Sequence, residues 1–139
     1  MTLLIKTMFL VLKLTEASPV DNVTENAIGP YQIRPIFVQD VNRILKHEVF
    51  THQDARNERK AKQMIYIYLD YYGSRYKAIT GKEPDARILA RIFNGGPNGW
   101  TKQATVDYGN RAMNIWRKEN DRPKRSTCRI RSCQVQETC

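Results

Sequence analysis

Apolar residues recur at spacings of three and four along most of this chain. From Pro35 onward, Ile36, Phe37, Val38, Val41, Ile44 and Leu45 fit a short amphipathic helix. A capping-type string, Thr51-His52-Gln53-Asp54, precedes a longer stripe of Ala61, Met64, Ile65, Tyr68, Leu69, Tyr72, Tyr76 and Ile79, which predicts the longest and most central helix. Gly81, Pro84 and Asp85 interrupt the pattern, and Ile88, Leu89, Ile92 and Phe93 then mark a helix that stops at Asn94-Gly95. Thr101 is placed to cap a last helix carrying Ala104, Tyr108, Ala112, Ile115 and Trp116 on one face. No convincing run alternates apolar and polar residues, so the fold class expected is mainly α, with little or no β-sheet.

The first seventeen residues admit two readings. Lys6, the apolar run from Met8 to Leu12 and the small residues Thr15 and Ala17 compose a secretory leader, although Lys13 interrupts it. Alternatively, Leu4, Met8, Val11 and Leu12 share one side of a buried helix with Glu16 at its C-terminal end. The run is too short for a membrane span. The domain organisation expected is therefore residues 1–17 as leader or first helix, 18–117 as a single helical domain, and 118–139 as a tail. That tail is basic, contains Cys128, Cys133 and Cys139, has almost nothing apolar to bury, and is expected to be disordered.

With 139 residues the chain is long enough for one domain with its own core. Its formal net charge of +9 calls for an anionic partner. Nucleic acid is not expected, because no zinc-finger spacing and no basic helix interleaved with aromatics is present. Three clustered cysteines cannot staple the interior, and no paired Cys or His pattern accompanies them, so neither a metal nor a cofactor is expected. His47 and His52 read as surface residues with no nucleophile nearby. Asn22-Val23-Thr24 is a glycosylation sequon that matters only in an exported chain.

Two strings stand apart from this pattern. Ala90-Arg91-Ile92-Phe93-Asn94-Gly95-Gly96-Pro97-Asn98-Gly99-Trp100 ends a helix in two glycines and a proline, which leaves backbone groups facing outward. About sixty residues earlier, Ala27-Ile28-Gly29-Pro30-Tyr31-Gln32-Ile33 sets a glycine and a proline beside an aromatic and an amide. With Tyr68-Leu69 between them in a long helix, the strings resemble those of the lysozyme superfamily. The nearest likeness is to the invertebrate-type lysozymes, or destabilases, and to the soluble lytic transglycosylases and goose-type lysozymes, over residues 27 to 116.

The resemblance implies a lysozyme-like domain that cleaves the β-1,4 bond between N-acetylmuramic acid and N-acetylglucosamine in peptidoglycan. Its partners would be glycan strands and anionic bacterial surfaces, and its location secreted. Such chemistry needs a carboxylic acid kept protonated by a partly apolar pocket. In register with the superfamily's glutamate is Glu16, in Lys13-Leu14-Thr15-Glu16-Ala17-Ser18, although the usual Ser-Gly is absent. Loss of a leader after Ala17 would remove Glu16 and leave Glu25 as the candidate; Asp21 falls in the interval where invertebrate-type lysozymes place a helping aspartate. Tyr31, Gln32, Tyr68, Asn94, Gly95 and Gly96 are the candidate substrate contacts, with Tyr68 and Tyr72 also on a core stripe. Phe93 replaces the histidine of the invertebrate-type string, and the many cysteines of that group are missing. The alternative to an enzyme is a relative that holds wall glycan without cutting it.

Overall fold

The protein is described by a computed structural model over residues 1–17 and 20–121. Among the described residues there are five α-helices: α1 (Thr2–Glu16), α2 (Pro35–Leu45), α3 (Glu58–Thr80), α4 (Ala86–Gly95) and α5 (Val106–Asp121). Three short 3-10 turns, His52–Arg56, Gly99–Thr101 and Gln103–Thr105, complete the regular structure. No sheet forms among the described residues; the pairings Asn22 with Ala27 and Ile28 with Ile33 are isolated bridges. The mainly helical class expected from periodicity is the class found.

Each helix begins and ends where local chemistry dictates. Pro35 opens α2, where its missing N–H costs nothing. The Asn57 side chain caps α3 by accepting from the Lys60 N–H at 3.0 Å, and Gly81 ends it at φ +73°. Asp85 caps α4 through the Ile88 N–H at 2.9 Å. The capping box at Thr51 and Asp54 does form, but it closes the 3-10 turn rather than starting α3. Thr101 likewise sits in a 3-10 turn, and α5 starts five residues later.

The segment 1–17 is built into the core. Ile5, Met8, Val11 and Leu12 are fully buried against α3, α4 and α5, and burying four such side chains is worth roughly 1.5–3 kcal/mol each. Thr7 Oγ1 accepts from Trp116 Nε1 at 3.0 Å, which ties α1 to α5. The α3 stripe is buried as its period predicts through Tyr76, whereas Ile79, past the end of its partners, is exposed. The tail begins later than the loss of apolar pattern suggested, since Arg117 to Asp121 continue α5. The stretch 122–139, with all three cysteines, lies outside the described residues.

Candidate active site

A groove of about 940 Å³ runs between the C-terminal end of α1, the 20–34 loop, α2, and the turn after α4. Two tight turns stacked in sequence build the loop. Asn22 and Ala27 exchange backbone hydrogen bonds at 2.9 and 3.0 Å, and Ile28 and Ile33 do so at 3.1 and 3.0 Å. Gly29 takes φ +77°, and a Cβ there would drive into the carbonyl of Ala55, so the first string's glycine serves both a left-handed backbone and a close approach.

Asn94, Gly95, Gly96 and Pro97 form the facing wall. Gly96 adopts φ +90° with open space around its Cα, which keeps the backbone bare on the groove side. The turn is held from behind. Arg91 donates to Thr105 Oγ1 at 2.9 Å and to the Lys102 carbonyl at 2.8 Å, and Lys102 Nζ donates to the Gly95 carbonyl at 2.7 Å. Phe37, Tyr68 and Phe93 give the floor, with Phe37 stacked on Tyr68 at 4.1 Å and edge-on to Phe93 at 5.6 Å.

Glu16 lies in this groove at the last turn of α1. Ala17 ends the helix in the left-handed region at φ 39°, with its N–H on the Lys13 carbonyl at 3.0 Å. Tyr108 Oη donates to Glu16 Oε1 at 2.8 Å across 92 residues of chain. Burial pushes the Glu16 carboxyl above its ordinary value, against the Tyr108 hydrogen bond and the charges of Arg111 and Arg34, and nearby Glu25 pushes in the same direction as burial. The phenol of Tyr108, itself buried beside a carboxylate, is driven well above the ordinary range and stays a donor. One carboxylate oxygen is therefore held by an O–H, and among the described residues the other accepts no hydrogen bond, which leaves it to carry the proton.

The remaining acidic candidates separate from Glu16. Glu25 lines the groove, but its carboxylate is ion-paired with Arg34 at 2.7 Å and is half exposed, so water is not excluded from it as it is from Glu16. Asp21 is not in the groove wall. Its Oδ1 accepts from the Gly29 N–H at 3.0 Å and its Oδ2 pairs with Arg56 at 2.7 Å, contacts that pull its carboxyl below the ordinary range. Asp21, expected as a helper to the acid, here fastens the loop to the 3-10 turn behind it.

Tyr31 also departs from the expectation. It is 1% exposed, outside the groove lining, with its hydroxyl buried and unpaired among the described residues, and burial pushes that hydroxyl up to about 12. The aromatic of the first string thus packs the core. Gln32 does face the groove, at φ 51°, but its amide is largely spent on the loop: Nε2 donates to the Gly29 carbonyl at 2.9 Å and Oε1 accepts from the Asn22 N–H at 3.2 Å. His52 is anchored to the Ile33 carbonyl at 2.8 Å.

Sequence reasoning placed Tyr108 only on a core face and passed over Asp40 and Arg111, yet all three line the groove. Asp40 accepts from Tyr72 Oη at 2.6 Å and pairs with Arg43, which fixes α2 on α3 at the edge of the cavity. Nothing local in the sequence marks Tyr108 or Asp40 as groove residues, because Glu16 and Tyr72, which they meet, lie on other helices, and Arg111 reaches the groove only through its place one turn after Tyr108. Among the described residues no cluster of three or more His, Cys, Asp or Glu side chains is placed to hold a metal ion. Among the same residues, no helix is long and apolar enough to cross a membrane. Comparison with protein families, curated proteins and solved structures finds no match for this chain.

Proposed function

We propose that the protein cleaves the β-1,4 bond between N-acetylmuramic acid and N-acetylglucosamine of bacterial peptidoglycan, with Glu16 as general acid. The observation that carries this reading is the position of Glu16: a carboxyl raised by burial, held on one oxygen by Tyr108 and set in a groove whose opposite wall is the Asn94-Gly95-Gly96 turn. The resemblance of the two groove strings to those of lysozymes and lytic transglycosylases supports the same substrate class.

In this mechanism the Gly95 and Gly96 carbonyls, each with a second lone pair beside its bond to Lys102 Nζ or to the Gly99 N–H, and the Asn94 amide hold the acetamido sugars over the Phe37, Tyr68 and Phe93 floor. Protonated Glu16 transfers its proton to the glycosidic oxygen as the C1–O bond breaks and positive charge develops on the sugar ring. The Glu16 carboxylate left behind accepts from Tyr108 and lies in the field of Arg111 and Arg34, the three groups that oppose its burial. Water, or a hydroxyl of the sugar itself, then bonds to C1 and gives its proton to the Glu16 carboxylate, which restores the acid. The substrate lies outside the bacterial membrane, so a secreted location goes with this reading.

The test is clearing of purified bacterial walls, with mass spectrometry of the released fragments. Wild type is expected to clear, and Glu16→Gln to lose about 10²–10⁴-fold in rate, the usual contribution of a general acid. Equal clearing by the two proteins would remove Glu16 from the chemistry. Binding of walls by both with cleavage by neither would instead make the protein a glycan-holding relative.

A further inference from the structure

Four cations line the groove, and three are already engaged. Arg34 is paired with Glu25 at 2.7 Å, Arg43 with Asp40, and Lys102 donates to the Gly95 carbonyl at 2.7 Å. Arg111 differs. Among the described residues its guanidinium has no ion pair and no hydrogen bond; it rests on the Tyr108 ring, 5.6 Å from the centroid. Tyr108 is buried and fixed by Glu16, so the ring that supports Arg111 is itself immobilised. The groove therefore presents one exposed, uncommitted guanidinium beside the acid.

A guanidinium is a planar fork of N–H donors that matches a carboxylate in two parallel hydrogen bonds, and stacking on an aromatic ring leaves that fork free. Glycans built on the same β-1,4-linked amino-sugar backbone differ in whether they carry a carboxylate: chitin carries none, whereas peptidoglycan carries one on its lactyl ether or on the peptide attached there. We propose that Arg111 is a specificity-determining residue, receiving a carboxylate of the glycan strand next to the bond that Glu16 attacks and so favouring acid-bearing over neutral amino-sugar chains. This inference rests on the peptidoglycan reading above and adds to it the residue that selects the substrate.

The experiment is calorimetric titration of Glu16→Gln protein, which does not turn substrate over, and of the Glu16→Gln/Arg111→Gln double variant. Three ligands are used: a peptide-free tetrasaccharide of alternating N-acetylglucosamine and N-acetylmuramic acid, the same tetrasaccharide with its stem peptides, and tetra-N-acetylchitotetraose. The single variant is expected to bind an acid-bearing tetrasaccharide about fivefold more tightly than chitotetraose. The double variant is expected to lose that preference while keeping its affinity for chitotetraose. A preference already present for the peptide-free ligand assigns the lactyl carboxylate, and one that appears only with the peptides assigns a stem carboxylate. No preference in the single variant, or the same preference in both, overturns the role of Arg111 and leaves the peptidoglycan reading intact. Failure to bind any of the three, together with no clearing of walls by wild type, overturns both. Because the preference is a ratio measured within one protein, a general loss of affinity through misfolding does not mimic it.

Discussion

Glu16 is a carboxyl whose burial carries a cost to the fold. Its charged form is disfavoured by burial, so the folded carboxyl titrates above the unfolded one. By linkage, the stability associated with protonated Glu16 is fully present below the unfolded value and is lost as pH rises through the raised folded value. Glu16→Gln is always neutral and removes this loss. The variant is therefore expected to melt at a higher temperature than wild type at neutral pH, with the gain shrinking toward pH 4, in paired melting curves across that range. A gain independent of pH, or a loss at neutral pH, would contradict burial as the dominant influence on this carboxyl. Tyr108 tempers the same residue: its hydroxyl stabilises the anion that forms when the proton leaves.

At the scale of elements, the groove depends on two irregular segments held by polar contacts rather than by a sheet. The 20–34 loop is fastened through Asp21, which bonds the Gly29 N–H and pairs with Arg56 on the neighbouring 3-10 turn. Asp21→Asn is expected to lower thermal stability at neutral pH while leaving the rate of wall clearing within a few-fold of wild type; a loss as large as that of Glu16→Gln would restore Asp21 to the chemistry. Because the folded Asp21 carboxyl is depressed, its contribution is present above the ordinary carboxylate value and is lost as pH falls through the folded value. The variant and wild type should therefore converge in stability in acid. The second segment, after α4, is held by Arg91, Thr105 and Lys102, residues that reach the groove wall from behind.

For the whole molecule, charge and core act on different problems. A net charge of +9 favours anionic partners over distances that salt screens, and under the proposed function those partners are wall polymers. Under that reading wall clearing is expected to fall as ionic strength rises from about 0.05 to about 0.5 M, where the screening length shortens to a few ångströms; a salt-independent rate would show that charge is not what brings the protein to the wall. The core, in contrast, was written in the order of residues. Spacings of three and four placed α2, the α3 stripe and α4, and Gly-Gly-Pro placed the end of α4, because periodicity and backbone freedom are local properties that each short segment carries with it. The sequence by itself thus determined a helical chain, the two strings that became groove walls, and Glu16 as the candidate acid. It left open whether residues 1–17 were leader or helix; in the described structure they form α1, with Ile5, Met8, Val11 and Leu12 filling space between α3, α4 and α5. Only the tertiary structure sent Tyr31 into the core, turned Asp21 and much of Gln32 to holding a loop, and set Tyr108 and Arg111 beside Glu16. The physical reason is the same in each case: whether a polar side chain meets substrate, solvent or another segment depends on which distant residues pack against it, and no local spacing encodes that.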